Sequence, residues 1–286
     1  MIAVARDAAF SFLYEENLDL LCAAGAEIAF FSPLSDSALP SETAAIYLGG
    51  GFPELYAAHL SANTALRAAI SAAAADDLPI YAECGGLMYC TEALIDQEGR
   101  RHPMLGLLPG RSVMTPRLTL GYRTVRVQTD SWLWNAGETV RGHEFHYSVG
   151  EDRPAAIPWL YTCQPDAFRP EARPEGAQQR SVLASYVHLH WLACPQVAAR
   201  FVAAAQRYWA RRKTCHGVPG MARRVGGRWA AAVDQRPGSD RYGVYQSAAL
   251  AGSGTRHPST GATPGERPRN RGKRGMGGRH DLSFIH

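Results

Sequence analysis

The segment LPIYAECGGL, residues 78–87, is the most informative part of the sequence. An apolar run ends at Cys84, and two glycines and a second apolar run follow. This order predicts a buried strand over residues 78–82, a sharp turn, and a helix over residues 85–94. Gly85 and Gly86 permit such a turn and leave room for a substrate carbonyl, as in a nucleophile elbow. The segment therefore predicts a nucleophilic Cys84, with the alternative that Cys84 is a small buried core residue.

The predicted helix also bears on the reactivity of Cys84. The first N–H groups of a helix carry partial positive charge, which lowers the pKa of a nearby thiol. Because the thiolate is the competent nucleophile, such a position suits catalysis. We therefore expect the Cys84 thiol to have a lowered pKa.

The residues around this segment alternate short apolar runs with longer amphipathic ones. Strands are predicted over residues 2–5, 27–31, 45–48 and 78–82, with helices over 12–24, 54–75 and 85–94 between and after them. Gly25 stands where a glycine ends a helix, and Asn63 is a candidate helix cap. This order predicts an α/β fold with a mostly parallel central sheet and helices on both faces. Residues 119–128, 139–147 and 181–189 alternate and are expected to pair in antiparallel or mixed fashion, and a last helix is predicted over 195–212.

Composition excludes several classes of protein. With 46% hydrophobic and 20% charged residues, the 286-residue chain can bury a core, which excludes wholesale disorder, collagen and coiled coil. No apolar run approaches the roughly 20 residues that span a bilayer, and no secretory signal opens the sequence. The six cysteines are scattered and form no CxxC pair. We therefore expect reduced thiols and a cytoplasmic protein without a membrane partner.

The charge divides the chain into two parts. Residues 214–286 hold 12 Lys/Arg, four Asp/Glu and 14 of the 28 glycines, whereas residues 1–213 hold 18 basic and 22 acidic residues. We predict a globular domain over 1–213 and a basic, Gly-rich tail over 214–286 that is disordered or derived from a frameshift. The acidic body gives no argument for nucleic acid, and the tail lacks the interleaved aromatics of a nucleic-acid-binding arm.

A nucleophilic cysteine needs a base and an oxyanion hole. The segment SYVHLHW, residues 185–191, offers His188 and His190, which face the same side if both lie on one strand. The spacing does not choose between them, and two packed strand histidines are the alternative. Gly49-Gly50-Gly51 follows the third strand, next to the elbow in such a sheet, so its N–H groups could complete an oxyanion hole.

Motifs for phosphate and metal binding are weak or absent. The sequence contains no GxxxxGK[ST] segment, and no GxGxxG opens a helix after a strand. The segment GHEFHY, residues 142–147, spaces its histidines three apart, whereas the HExxH zinc motif needs them four apart on a helix. In a strand, Glu144 and His146 would face one side and His143 the other. We therefore predict no metal site.

Five motifs in this order carry a resemblance to a known family: AFSFLYEENLDLL near the start, GGGFPELYA at 49–57, YAECGGLMY at 81–89, RGHEFHYS at 141–148 and SYVHLHW at 185–191. From about residue 2 to residue 213 the chain resembles the class I, triad-type glutamine amidotransferase domain of the cobyrinic acid and hydrogenobyrinic acid a,c-diamide synthases of cobalamin biosynthesis. The resemblance implies a flavodoxin-like α/β domain that hydrolyses glutamine through a γ-glutamyl thioester and releases ammonia.

The resemblance also implies roles for individual residues. Cys84 is the nucleophile, His188 the activating base, and Gly85 with Gly50 or Gly51 the oxyanion hole. Further residues are expected to support the site: Glu144, His146 and His190. His190 stands two positions after His188, where the triad's acidic member usually lies, so the partner that orients His188 is left unassigned.

In the family, an ATP-dependent synthetase domain precedes the glutaminase domain and activates the a and c carboxylates of the corrinoid. The chain starts at the first glutaminase strand, so we expect no cofactor bound by this chain, with ATP and Mg²⁺ belonging to the full-length enzyme. The expected partners are glutamine and, through the absent synthetase domain, the corrinoid; a homodimer is compatible with the sequence. A gene fragment or a broken reading frame would account for these features. The alternative function is an inactive α/β binding or docking module.

Overall fold

The computed structural model describes residues 1–167 and 169–215. Its strands are β1 (Ile2–Ala5), β2 (Ile28–Phe31), β3 (Ala45–Leu48), β4 (Ile80–Glu83), β5 (Thr91–Ile95), β6 (Arg101–Pro103), β7 (Leu108–Val127), β8 (Thr139–Glu151), β9 (Tyr161–Cys163), β10 (Arg173–Glu175), β11 (Ala177–Gln179), β12 (Val182–Ser185) and β13 (His188–Leu189). Its helices are α1 (Glu15–Ala23), α2 (Ala57–Ala62), α3 (Thr64–Ala75), α4 (Gly85–Cys90) and α5 (Gln196–Cys215), with 3-10 turns at Pro53–Tyr56 and Trp191–Ala193.

The central sheet has the strand order β11-β12-β4-β3-β1-β2. All of its pairings are parallel except that of β11 with β12. Every residue of β1, β3, β4 and β12 is buried, as expected of parallel strands covered on both faces. The predicted α/β fold with a mostly parallel sheet is therefore confirmed.

Two predicted helix boundaries are also confirmed. Gly25 has a φ of +96°, the left-handed conformation that a glycine adopts after a helix, and α1 ends just before it. The predicted helical segment 54–75 consists of a 3-10 turn, α2 and α3. Asn63 caps α3, since its side-chain oxygen accepts a hydrogen bond from the Leu66 N–H at 3.3 Å.

The helix after Cys84 is shorter than predicted. It ends at Cys90 rather than at residue 94, and Thr91 begins β5. The Thr91 hydroxyl donates to the Met88 carbonyl at 2.7 Å while its backbone turns to a ψ of 172°. This local hydrogen bond competes with continuation of the helix, so the chain leaves at once as a strand.

A second sheet has the order β10-β9-β7-β5-β6, with β8 paired to β7 and β13 paired to β8. β7 and β8 form an antiparallel pair, as their alternating sequences predict, but β7 begins at Leu108 and is 20 residues long. The pairing is interrupted between Met114 and Thr119. This sheet places β8, which carries His143 and His146, beside the end of the central sheet.

The segment 181–189 is two strands rather than the predicted one. β12 pairs in parallel with β4, whereas β13 pairs with β8 in the other sheet. The chain breaks between them because side chains take the backbone donors: Glu175 accepts from the Tyr186 N–H at 2.7 Å and Ser185 Oγ from the Val187 N–H at 2.9 Å. His188 therefore lies opposite His143 of β8.

Aromatic packing covers the central strands. Tyr47 of β3 stacks on Trp191 with ring centroids 5.4 Å apart, and Tyr81 of β4 and Phe201 of α5 pack against the same tryptophan. Among the described residues, no helix combines the length and apolar character needed to cross a bilayer. The predictions for the tail over 214–286 lie outside the described residues beyond position 215.

Candidate active site

Cys84 occupies a sharp turn between β4 and α4. Its backbone has φ +50° and ψ −103°, an uncommon conformation for a residue other than glycine. The Cys84 N–H donates to the Ser185 carbonyl at 2.7 Å, which ties the turn to the end of β12. The elbow predicted from the sequence is present.

The two glycines after Cys84 allow close approach to neighbouring backbone. A Cβ on Gly86 would stand 2.4 Å from the Leu48 carbonyl oxygen, and one on Gly85 would stand 3.1 Å from the Gly51 nitrogen and 2.9 Å from Pro53 Cδ. Neither position has room for a side chain. The GG pair therefore lets the helix start beside the end of β3 and the Gly51 loop.

The predicted lowering of the Cys84 pKa is wrong. Burial raises the pKa of this thiol to about 12, and the negative charges of Glu54, Glu83 and Glu144 act in the same direction. The Gly85 N–H opposes them but does not outweigh desolvation. The thiol is 4% exposed and donates to the Phe145 carbonyl at 3.6 Å. The Cys84 side chain is therefore a neutral thiol at rest.

Cys84 and His188 line one cavity of about 410 Å³. This volume lies within the roughly 300–1,000 Å³ of small-molecule sites. Other side chains on its wall are Phe12, Phe52, Glu54, Met88, Met114, His143, Phe145, His146 and Tyr147. Among the described residues, Glu54 is the only carboxylate on that wall, and burial raises its pKa.

His188 is held on three sides. Its ring stacks on His143 with centroids 4.8 Å apart and 18° between planes, and Phe12 meets it edge-on at 4.7 Å. A Cβ on Gly50 would stand only 2.3 Å from His188 Cε1. Burial, with smaller effects of His143 and His146, lowers the pKa of His188 to about 3. The imidazole is therefore neutral at rest and able to accept a proton.

Gly50 and Gly51, the two loop glycines predicted as alternative oxyanion donors, have different surroundings. The Gly50 N–H already donates to the Phe12 carbonyl at 2.9 Å, so the prediction of Gly50 as an oxyanion donor is corrected: Gly50 makes room for His188. Gly51 has φ +151°, and a Cβ there would stand 2.2 Å from the Ala9 carbonyl oxygen. Its nitrogen adjoins Gly85, which leaves Gly51 and Gly85 as the candidate donors.

His190 does not line the cavity of Cys84, because the strand that would put both histidines on one side ends at Leu189. His190 follows the end of β13 and precedes the 3-10 turn at Trp191–Ala193. Its ring packs on Tyr14 at 4.5 Å, and its Nε2 lies 3.7 Å from Glu16 Oε2. His190 lines a different pocket, beside Tyr122 and Arg141.

Glu144 and His146 lie on the same side of β8, as predicted, but they do different things. Burial alone would raise the pKa of Glu144; hydrogen bonding with His146 and ion pairs with Arg173 and Arg123 instead lower it to about 2. His146 stacks on Tyr186 with centroids 4.0 Å apart, and its Nδ1 donates to the Ser148 carbonyl at 2.8 Å. Glu144 therefore stabilises β8 through its ion pairs, and His146 is part of the cavity wall.

Two residues near the site escaped sequence reasoning. Glu83, directly before Cys84, has its Oε2 3.9 Å from His188 Nδ1. His143 is the ring on which His188 stacks. Both follow from the break between β12 and β13, which no residue pattern signals. Within residues 1–167 and 169–215, no three His, Cys, Asp or Glu side chains converge as metal ligands.

Comparison with known proteins identifies relatives of this chain. Residues 1–195 match the family model of the CobB/CobQ-like glutamine amidotransferase domain. The chain is 46% identical over 213 residues to a cobyrinate a,c-diamide synthase of Dehalococcoides mccartyi, an alignment covering 73% of this chain and 45% of that protein. It is 46% identical over 202 residues to a hydrogenobyrinate a,c-diamide synthase of Streptomyces coelicolor, covering 70% and 39%. The chain thus spans less than half the length of these relatives.

Solved structures show the same fold at lower identity. A crystal structure of a glutamine amidotransferase matches with a TM-score of 0.52 at 16% identity, covering 72% of this chain and 98% of that one. PurLQS from Thermotoga maritima matches with a TM-score of 0.51 at 14% identity, covering 72% and 98%. The resemblance carried by the five sequence motifs is confirmed, and the chain belongs to the family of CobB/CobQ-like glutamine amidotransferase domains.

Proposed function

We propose that this chain hydrolyses glutamine at Cys84 and supplies the ammonia for amidation of the a and c carboxylates of cobyrinic or hydrogenobyrinic acid. The observation that carries the proposal is the convergence of Cys84, His188 and Gly51 on one cavity, with Gly85 packed closely against the Gly51 nitrogen. A thiol, a neutral imidazole and two backbone donors are the groups that acyl transfer from an amide requires.

The reaction proceeds in two halves. His188 takes the thiol proton while Cys84 Sγ attacks the side-chain amide carbon of glutamine, and the N–H groups of Gly51 and Gly85 stabilise the negative oxygen. His188 returns the proton to the departing nitrogen, so ammonia leaves and a γ-glutamyl thioester remains. Water, deprotonated by His188, then cleaves the thioester, giving glutamate and restoring the thiol.

Glu54 gives the cavity a preference for an amino acid. It is the only carboxylate of the described residues on the cavity wall, and the α-ammonium of glutamine is its natural counter-charge. Glu54 is partly buried in the free protein, and its carboxylate pairs with an ammonium group only when glutamine binds. We assign Glu54 to binding rather than to the chemical step.

The synthetase half of the reaction lies outside this chain's residues. The relatives are named as diamide synthases, and this chain corresponds to less than half of them. Among the described residues, no three His, Cys, Asp or Glu side chains converge as metal ligands. We propose that ATP, Mg²⁺ and the corrinoid bind a synthetase domain that receives the ammonia. The five described cysteines are free thiols, which supports a reducing compartment, the cytoplasm.

Glutamate release by the full chain tests the proposal. We expect Cys84→Ala and His188→Ala to abolish release, whereas His190→Ala and Cys22→Ala retain it, because neither residue lines the cavity. Mass spectrometry should find 6-diazo-5-oxo-norleucine attached to Cys84 and not to the exposed Cys22. A chain that neither releases glutamate nor is labelled at Cys84 would instead be the docking module considered as the alternative.

A further inference from the structure

Glu83 is a buried carboxyl that the reaction described above does not use. It ends β4, is 1% exposed, and directly precedes the nucleophile. Burial raises its pKa to about 7. Placing an ionisable carboxyl in a dry interior is costly, so its contacts should show what offsets that cost.

The hydrogen bonds of Glu83 leave one position open. Its Oε1 accepts from the Tyr81 hydroxyl at 2.7 Å and from the Leu189 N–H at 3.1 Å, and its Oε2 accepts from the Tyr47 hydroxyl at 3.2 Å. A carboxylate offers about four acceptor positions. Three are filled, and the next donor toward Oε2 is His188 Nδ1 at 3.9 Å.

His188 has an unused hydrogen-bonding position that complements the open acceptor position of Glu83. Its Nδ1 is buried and has no hydrogen-bond partner among the described residues. An imidazole that accepts a proton on Nε2 carries its other proton on Nδ1, where an orienting acceptor fixes the tautomer. Glu83 is the one carboxylate within 4 Å of this ring in the described part of the chain.

The other titratable groups around His188 are engaged elsewhere. His143 Nδ1 is hydrogen-bonded to the Tyr14 hydroxyl at 3.0 Å, and His146 Nδ1 to the Ser148 carbonyl. Glu144 is ion-paired with two arginines. Glu83 is thus the acid best placed to act on His188.

We propose that Glu83 is the positioning residue of His188, replacing the acid that this chain lacks two positions after its histidine. This rests on the proposed function. When His188 takes the Cys84 proton on Nε2, the gap of 3.9 Å closes to a hydrogen bond between Nδ1–H and Oε2. The carboxylate stabilises the imidazolium and gains no proton itself; the proton passes from His188 to the leaving nitrogen.

Glu83→Gln in the full chain tests this, with Glu175→Gln as the matched control. Glu175 is also a buried carboxyl with a pKa raised to about 7, but it bonds Ser185 and Tyr186 rather than His188. We expect Glu83→Gln to lower kcat about 100-fold or more with KM within about twofold. Because Glu83 must be ionised to stabilise the imidazolium, kcat of the wild-type chain should rise with pH near 7. This rise should disappear in Glu83→Gln and persist in Glu175→Gln. His143, His146, Glu144 and Cys84 are common to both variants, so the difference isolates Glu83.

Glu83→Asp keeps the charge on a shorter side chain and guards against a folding defect. We expect it to recover part of kcat and the pH dependence. Equal losses in Glu83→Gln and Glu175→Gln, or no recovery in Glu83→Asp, would reduce Glu83 to a packing role. Wild-type kcat and pH profile in Glu83→Gln would also overturn the proposal while leaving glutamine hydrolysis intact. A wild-type chain that is inactive and unlabelled at Cys84 would instead overturn the proposed function and this inference with it.

Discussion

Gly50→Ala should abolish the proposed glutamine hydrolysis by displacing His188, the proposed base. The added Cβ would stand 2.3 Å from His188 Cε1 and 3.3 Å from each ring nitrogen. Ordinary contact begins at 3.4 Å, so the ring must retreat by about 1 Å. His143 and Phe12 hold its flanks, which directs the displacement away from the loop that carries Gly51.

The displacement should lower the rate strongly while the chain remains folded. A catalytic group misplaced by about 1 Å loses on the order of 100-fold in rate. Overpacking of one methyl group destabilises by about 1–3 kcal/mol. We therefore expect kcat to fall by about two orders of magnitude in a chain that is still folded at 25 °C.

Glutamate release and urea unfolding of the same preparation measure both effects. Gly150→Ala is the matched control, since a Cβ on Gly150 of β8 meets nothing within 4 Å. It should keep wild-type kcat. If Gly50→Ala retains wild-type kcat, then His188 is not the base in the position described, and the assignment of Gly50 as its spacer is refuted.

Three further perturbations address the buried charges and thiols. Glu144→Gln should destabilise the chain by about 3–5 kcal/mol in urea unfolding, because it removes the carboxylate charge shared by the buried Arg123 and the half-buried Arg173. Asp77→Asn at the exposed pair with Arg180 should cost at most about 1 kcal/mol, and equal costs would contradict the ion-pair argument. Glu175 has a pKa raised from 4.5 to about 7, so its stabilising contribution is present below pH 4.5 and is lost as pH rises through 7. Glu175→Gln should remove roughly 3 kcal/mol of that pH dependence, and an unchanged stability–pH curve would refute the shift. Iodoacetamide at pH 8 should alkylate Cys22 well before Cys84, and the reverse order in peptide mapping would mean that Cys84 is a resting thiolate.

The sequence predicts the central sheet well because parallel buried strands have a local signature. β1 and β3 have the predicted bounds, and the elbow at Cys84 is where the apolar run and two glycines put it. The pattern fails where side chains compete for backbone donors, at Thr91 and after Ser185. Both hydrogen bonds join residues only two or three positions apart, so their donors and acceptors are visible in the sequence, but the apolar pattern does not show that these bonds form in place of continued helix or strand pairing.

The same limit explains why the choice between His188 and His190 stayed open. Period-two alternation puts both on one face only if the strand continues, and it ends at Leu189. The same limit explains why the sequence predicts a lowered pKa for Cys84 whereas the pKa is raised. The helix that follows the thiol is visible in the sequence, whereas the extent of desolvation, which outweighs it, depends on packing by residues distant in the sequence, such as Phe145.

The pKa shifts of Cys84 and His188 in the free site indicate at which step the Cys84 thiolate forms. Burial raises the pKa of Cys84 and lowers that of His188, so both shifts disfavour a preformed thiolate–imidazolium pair. Proton transfer must then accompany attack on the amide, and the groups that lower its barrier are those that meet charge only in the transition state. These are the Gly51 and Gly85 N–H groups at the oxygen and, on our proposal, Glu83 at the imidazolium. Such a site stays unreactive until an amide carbonyl occupies the cavity, which would suit the proposed delivery of ammonia to a synthetase reaction.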